Sequence, residues 1–298
     1  MKNETVTIIS VILALVMTII TASSNIILKK AFKKINPFVG VYLSVLISSI
    51  FLWIATFLLV PNRNLLSSQA VMIFIVIGCF APTIVRTLTY FGIDKLGAGR
   101  AAPLRALTPF FAVIIAMIFL KESPHVTIFI AIFLIISGIT LLSKKNNKDL
   151  SHPKPMHYLY PIGAAILAGL AANMRKYGLD LMPHPIYASA IAATSSLVVL
   201  TFYMFFKHRK ELIDNLAHHP ELKLIFLAAL LTSVGEIVDL SALLYGKVSL
   251  VVPIFAATPL VIVILSRFFL KDQEVINNKV IFAAILIIFG LYFTIKSM

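Results

Sequence analysis

The sequence predicts an all-α integral membrane protein of about ten transmembrane helices, arranged as two inverted five-helix repeats. Three observations predict it. The 298-residue chain is 60% hydrophobic and only 13% charged, with a mean hydropathy of +0.98, whereas soluble domains carry about 25% charged residues. Its apolar residues form continuous runs, without the alternation of a lipid-facing barrel strand. One long stretch of the chain also occurs twice.

About 20 apolar residues cross the hydrocarbon core of a bilayer as a helix. Ten segments meet that length, near 5–29, 38–60, 70–93, 97–120, 125–143, 158–180, 184–206, 222–245, 248–270 and 276–296. Helices are expected because each satisfies its own backbone in lipid. The first run is longer than a signal-peptide core and no small-x-small cleavage site follows, so it reads as a retained span. The most hydrophilic stretch, 144–157, separates a first repeat over 1–143 from a second over 158–298. Tight connections are expected at "GIDKLGAG" (92–99) and "YGKVS" (245–249), with glycine where a turn needs positive φ.

The duplicated stretch is "PLRALTPFFAVIIAMIFLKE" (103–122) and "PIFAATPLVIVILSRFFLKD" (253–272). Pro103, Ala106, Thr108, Pro109 and the Phe119-Leu120-Lys121 ending meet Pro253, Ala256, Thr258, Pro259 and Phe269-Leu270-Lys271 without a gap. A second match sets "NIILKKAFKKINP" (25–37) against "NMRKYGLDLMPHP" (173–185), pairing Asn25 with Asn173 and Pro37 with Pro185. An odd number of spans per repeat reverses the second repeat in the membrane. The halves are then related by a pseudo-twofold axis in the membrane plane. Secondary transporters use this plan, with a site near the midplane between the repeats. Pro103, Pro109, Pro253 and Pro259 are expected to kink spans 4 and 9, because an interior proline frees a carbonyl. Such kinks are tolerated in lipid only against protein or a water-filled cavity.

These motifs resemble EamA-type members of the drug/metabolite transporter superfamily. The resemblance covers nearly the whole chain and implies ten helices, a central cavity lined from both halves, and rocking exchange between two open states. It implies transport and leaves the substrate open, because such proteins move amino acids, sugars, nucleotides, drugs and other metabolites. Many relatives carry an arginine in span 2; "PFVGVYLSV" (37–45) and "PIYASAIAA" (185–193) have none, so its role is not carried over.

Charges inside spans cost about 2.5–3.5 kcal/mol each on insertion scales, which makes them informative. Glu236 and Asp239 in "VGEIVDLS" share a helix face. Arg86 and Tyr90 share another, and Arg86 is the repeat counterpart of Glu236. The carboxylates are read as taking a substrate amine or a coupling proton. Arg86 and Arg105 are read as holding a carboxylate or phosphate. Asn25 and Asn173 supply hydrogen bonds in this reading, and Tyr90, Phe110, Tyr177 and Tyr245 shape a cavity. The competing reading is a structural cluster, Arg86–Glu236 or Arg105–Asp239. Arg175 is a further candidate that could instead snorkel to the interface.

No GxGxxG, P-loop or HExxH occurs, so no enzyme, cofactor or metal is expected. The single cysteine, Cys79, excludes an intrachain disulfide and reads as packing. The net charge of +14 sits mostly in short loops and reads as orientation charge beside anionic lipid, not as a nucleic-acid surface. The loops with more Lys and Arg are 1–2, 3–4, 5–6, 7–8 and 9–10. The positive-inside rule puts them in the cytoplasm and both termini outside, whereas the resemblance implies termini inside. The expectation is a multi-pass protein of a bacterial cytoplasmic membrane, monomer or homodimer, with a small-molecule substrate. The competing classes are an uncoupled facilitator or channel and a lipid-handling flippase.

Overall fold

The computed structural model describes residues 2–32, 34–60, 67–143, 154–207, 221–269 and 278–297. Among them there are helices and no strand. Eight helical runs are long and apolar enough to cross a membrane, and Thr127–Ser143 is a shorter apolar helix. The 23-residue helix Leu159–Leu181 is diluted by Arg175, Lys176 and Asp180 in its last turns and falls outside that set. The chain is a multi-pass membrane protein. Most of the 144–157 connection lies outside the described residues, as do Lys271 and Asp272.

The helices are α1 (Lys2–Ala31), α2 (Pro37–Leu59), α3 (Ser68–Phe80), α4 (Arg86–Leu96), α5 (Ala98–Arg105), α6 (Thr108–Phe119) and α7 (Thr127–Ser143). They continue with α8 (Leu159–Leu181), α9 (Pro185–Lys207), α10 (Leu222–Tyr245), α11 (Val248–Phe255), α12 (Thr258–Phe269) and α13 (Asn278–Lys296). Local chemistry explains their starts. Asn36 Oδ1 accepts from the Phe38 N–H at 2.9 Å, with Pro37 first in α2, a favoured proline position because that N–H has no helical partner anyway. Ser67 caps α3 by accepting from the Ala70 N–H at 3.4 Å. Gly97, at φ 76°, ends α4 and turns the chain into α5, a conformation glycine adopts without steric cost.

The four prolines mark short breaks within the helical runs Gly99–Phe119 and Val248–Arg267. Ala106–Leu107 and Ala256–Ala257 interrupt the helix at equivalent places in the two halves. Pro103 and Pro253 lie inside α5 and α11, but Pro109 and Pro259 open α6 and α12. Proline has no N–H to lose at a first turn, so the second proline of each pair starts a helix where the first helps end one. Between α3 and α4, residues Ala81–Val85 form a wide π-helical stretch containing Pro82.

α1 and α10 run antiparallel along much of their length. Ser24 Oγ donates to the Ala228 carbonyl at 3.1 Å, and Lys34 Nζ lies 2.6 Å from Glu221 Oε1. α8 lies antiparallel to α3 and α4 in the same manner, with Gly178 against Phe74 and Gly92 against Pro161. Gly138 of α7 faces Ile287 and Ala283, while Gly290 of α13 faces Ile135 and Ala131. A Cβ at Gly138 or Gly290 would stand 2.5 or 2.6 Å from an isoleucine Cγ1, so the missing side chains let these helices touch. Gly78 of α3 meets Ala192 and Ser195 of α9, and Ser48 of α2 bonds Ala229 of α10. Adding 150 to 78 and subtracting 148 from 195 gives 228 and 47, one residue from that second contact.

The two ends of the bundle differ. At the end where α1 begins and α10 finishes, Val11, Phe74, Leu179, Met182, Leu243 and Val251 belong to one large buried cluster. At the end where α1 finishes and α10 begins, the helices diverge around a cavity.

Candidate functional site

The cavity has a volume of about 820 Å³ and is walled by α1 to α5 and α8 to α10. That lies within the roughly 300–1,000 Å³ of small-molecule sites. Its walls carry small polar residues at helical spacing: Thr21, Ser24 and Asn25 on α1, Ser44 and Ser48 on α2, Ser189 and Ser196 on α9, and Thr232 on α10. Phe74, Ile77 and Leu240 form its floor and also belong to the packed cluster below.

Seven of the residues singled out from sequence line this cavity: Glu236, Asp239, Arg86, Arg105, Arg175, Tyr90 and Asn25. Glu236 and Asp239 are three apart on α10, so one face delivers both. Arg86 opens α4 directly after the π-helical stretch, and Arg105 closes α5 at the helix break. Arg105 Nη1 donates to Thr108 Oγ1, which donates back to the Arg105 carbonyl at 2.8 Å. That exchange ties the arginine across the break and holds its head at the cavity wall.

The charges pair differently from either structural pairing considered above. Arg175 of α8 reaches Asp239, with Nη1 2.7 Å from Oδ2. Neither Arg86 nor Arg105 forms an ion pair with a described residue. Arg175 therefore does not snorkel; its partner is a carboxylate only 7% exposed on another helix. Glu236 makes no hydrogen bond or ion pair with a described residue, although Arg175, Asp239 and Arg86 all act on it electrostatically. The cavity thus holds one satisfied pair, one unpaired carboxylate and unpaired cations.

Four other candidates lie away from it. Asn173 is buried, and its Nδ2 donates to the carbonyls of Ala112 and Gly169, each at 2.9 Å; it joins α8 to α6. Tyr177 accepts from Gln69 at 3.3 Å near the packed end. Phe110 is exposed and meets Phe111 edge-on. Tyr245 borders a separate cavity of about 430 Å³ beside Lys176 and Lys247. Helical spacing placed these side chains on a span but could not say which flank faced the other repeat. Cys79, expected as packing, is exposed on its helix.

Sequence reasoning missed Lys29 and the hydroxyl-bearing walls. Lys29 lines the cavity near the end of α1, where a charge at a span terminus looks like an interface anchor. The signal for the walls was present: Thr21, Ser24 and Asn25 recur at spacings of three and four, as do Ser44 and Ser48. Among the described residues, no group of three or more His, Cys, Asp or Glu side chains gathers as a metal site.

No curated protein matches the chain closely. A solved structure, described only as the crystal structure of a protein, superposes with a TM-score of 0.74 at 13% identity. The alignment covers 97% of this chain and 96% of that one, so the whole architecture is shared. The EamA-like transporter family matches twice, over residues 8–144 and again over 156–296. The two matches take in, in turn, α1 to α7 and α8 to α13, two sets that each contribute walls to the one charged cavity, and the chain belongs to the EamA-like transporter family.

Proposed function

We propose that this protein is a secondary transporter of a small polar metabolite, an amino acid or a related zwitterion or organic ion, in a bacterial cytoplasmic membrane. The observation that carries the reading is the central cavity: it is lined from both family-matched halves and presents Glu236 and Arg86 without an ion-pair partner among the described residues. Unpaired charges among membrane spans are costly unless a ligand or water meets them. Membership of a transporter family gives that ligand its fate.

In this reading the chain crosses the membrane ten times, and a twofold axis in the membrane plane relates the halves. The reciprocal Gly138 and Gly290 contacts, the paired helix breaks and the exchange of the Gly78 contact for the Ser48 contact support it. The halves rock about the midplane and open the site to each side in turn. Glu236 carries the coupling proton, because it has no fixed cation, while the Arg175–Asp239 pair holds α8 to α10.

The test is thermal stabilisation of the purified protein by a metabolite panel, with Glu236→Gln and Arg86→Ala beside the parent, followed by counterflow in proteoliposomes. The expected ligand stabilises the parent, does so far less in Arg86→Ala, and gives an altered stabilisation in Glu236→Gln, and a preloaded vesicle shows saturable counterflow. Equal stabilisation of all three proteins would make those charges structural. Flux without saturation or counterflow would leave an uncoupled pore.

A further inference from the structure

The charge inventory of the central cavity is unbalanced. Four cations line it, Lys29, Arg86, Arg105 and Arg175, against two carboxylates, Glu236 and Asp239. The Arg175–Asp239 pair cancels within itself. What remains is three cations and one carboxylate on a single wall system. Among the described residues, the neutral Thr108 hydroxyl is the side-chain partner of Arg105. Arg86, Lys29 and Glu236 have no hydrogen bond or ion pair with a described residue. Among the residues that line the cavity, nothing in the protein offsets this excess of positive charge.

We infer that the substrate is an organic acid bearing two acidic groups, and that an amino group on it is matched to Glu236. This rests on the cavity being the transport site and narrows its cargo. The chemistry follows from the heads available. Guanidinium groups present forked N–H donors that match carboxylate and phosphate oxygens two at a time. Arg86 and Arg105 lie on α4 and α5, joined through Gly97, so one hairpin presents both. Lys29 on α1 adds a third positive charge to the same cavity. A neutral zwitterion leaves two of these cations unmatched, and a cationic amine adds to the repulsion. An acidic amino acid brings one ammonium and two carboxylates, and a simple dicarboxylate lacks only the contact to Glu236.

The experiment titrates purified parent protein, R86Q, R105Q and E236Q with aspartate, succinate, alanine and lysine, reading ligand-induced thermal stabilisation and repeating each titration at high salt. Aspartate and succinate are expected to bind the parent about tenfold or more tightly than alanine does, a difference of about 1.4 kcal/mol, and lysine is expected to bind least. Binding of the acids weakens with salt. R86Q and R105Q weaken both acids by about tenfold or more. E236Q does the opposite for succinate, tightening it, while removing any preference for aspartate over succinate. Misfolding cannot produce that gain, so the variant separates binding from damage.

Tighter binding of alanine or lysine than of either acid overturns the acidic assignment and leaves a transport site in the cavity. Acid binding undiminished in R86Q and R105Q overturns the placement of the acidic groups. No binding by any of the four solutes counts against this assignment; failure of the wider metabolite panel as well counts against the transport reading.

Discussion

The two ends of the bundle are built from the same helices and do opposite things. At the open end, Lys34 after α1 pairs with Glu221 before α10, and their side chains are 66% and 13% exposed. At the closed end, the Glu122 carboxylate accepts from two backbone N–H groups of the other half, Val248 at 2.8 Å and Ser249 at 3.0 Å. Those N–H groups belong to the first turn of α11, which has no helical acceptors for them, and a carboxylate there also meets the positive end of the helix dipole. Lys176 Nζ donates to the Leu244 carbonyl at 3.3 Å nearby. Beneath these contacts lies the large apolar cluster. An ion pair whose lysine stays in solvent is worth little, whereas a carboxylate on a helix start resists separation because it would leave two donors bare. Closure at one end and an open cavity at the other therefore follow from what each end offers to its partner half.

The largest expected effect lies where the two ends meet. Arg175→Ala leaves Asp239 charged and buried without its cation, which costs about 3–5 kcal/mol. A thermal melt should show it as a large loss, and R175A with D239N should recover part of that loss. No recovery in the double variant would mean that Arg175 acts through packing. Next comes the cap. Glu122→Ala removes the acceptor for two first-turn N–H groups and is expected to cost about 1–3 kcal/mol. In a Cys79→Ser background, Ser249→Cys is expected to be slow to label with a membrane-impermeant thiol reagent, and Glu122→Ala to speed it. Unchanged labelling would assign closure to the apolar cluster alone.

Two smaller effects sharpen the contrast. Lys121 has φ 55° and precedes Glu122, so a non-glycine residue holds a left-handed conformation where the cap is aimed. Lys121→Gly relieves that strain at the expense of a freer unfolded chain, and a gain of at most about 1 kcal/mol is expected. A marked loss of stability would show that the lysine side chain matters for itself. Lys34→Ala should change stability by about 0–1 kcal/mol, and high salt should erase the difference.

Much of this was legible beforehand, and for physical reasons. Long apolar runs leave helices as the only open-chain structure that satisfies its backbone in lipid. Residues at spacings of three and four share a face, so Glu236 with Asp239 and Arg86 with Tyr90 could be placed together before any fold was known. Asn173 and Tyr177 were misplaced because periodicity gives a face and not its direction. Asn173 faces α6, an element more than 50 residues earlier in the chain. Arg175 was underrated for a similar reason. Near a helix end it looks solvated, and only the approach of α10 supplies a carboxylate. The π-helical stretch at Ala81–Val85 had Pro82 as its signal, but a proline in a span permits a kink, a break or a widened turn.

By itself the sequence determined that the chain enters lipid and that one helical unit occurs twice, because hydropathy and the Pro-x5-Pro frame are local quantities. The tertiary structure alone decided which charges meet, which stay free, and which end is shut. Those outcomes depend on how residues more than 60 positions apart approach, as Arg175 does Asp239 and Glu122 does Val248, and no local pattern encodes that approach.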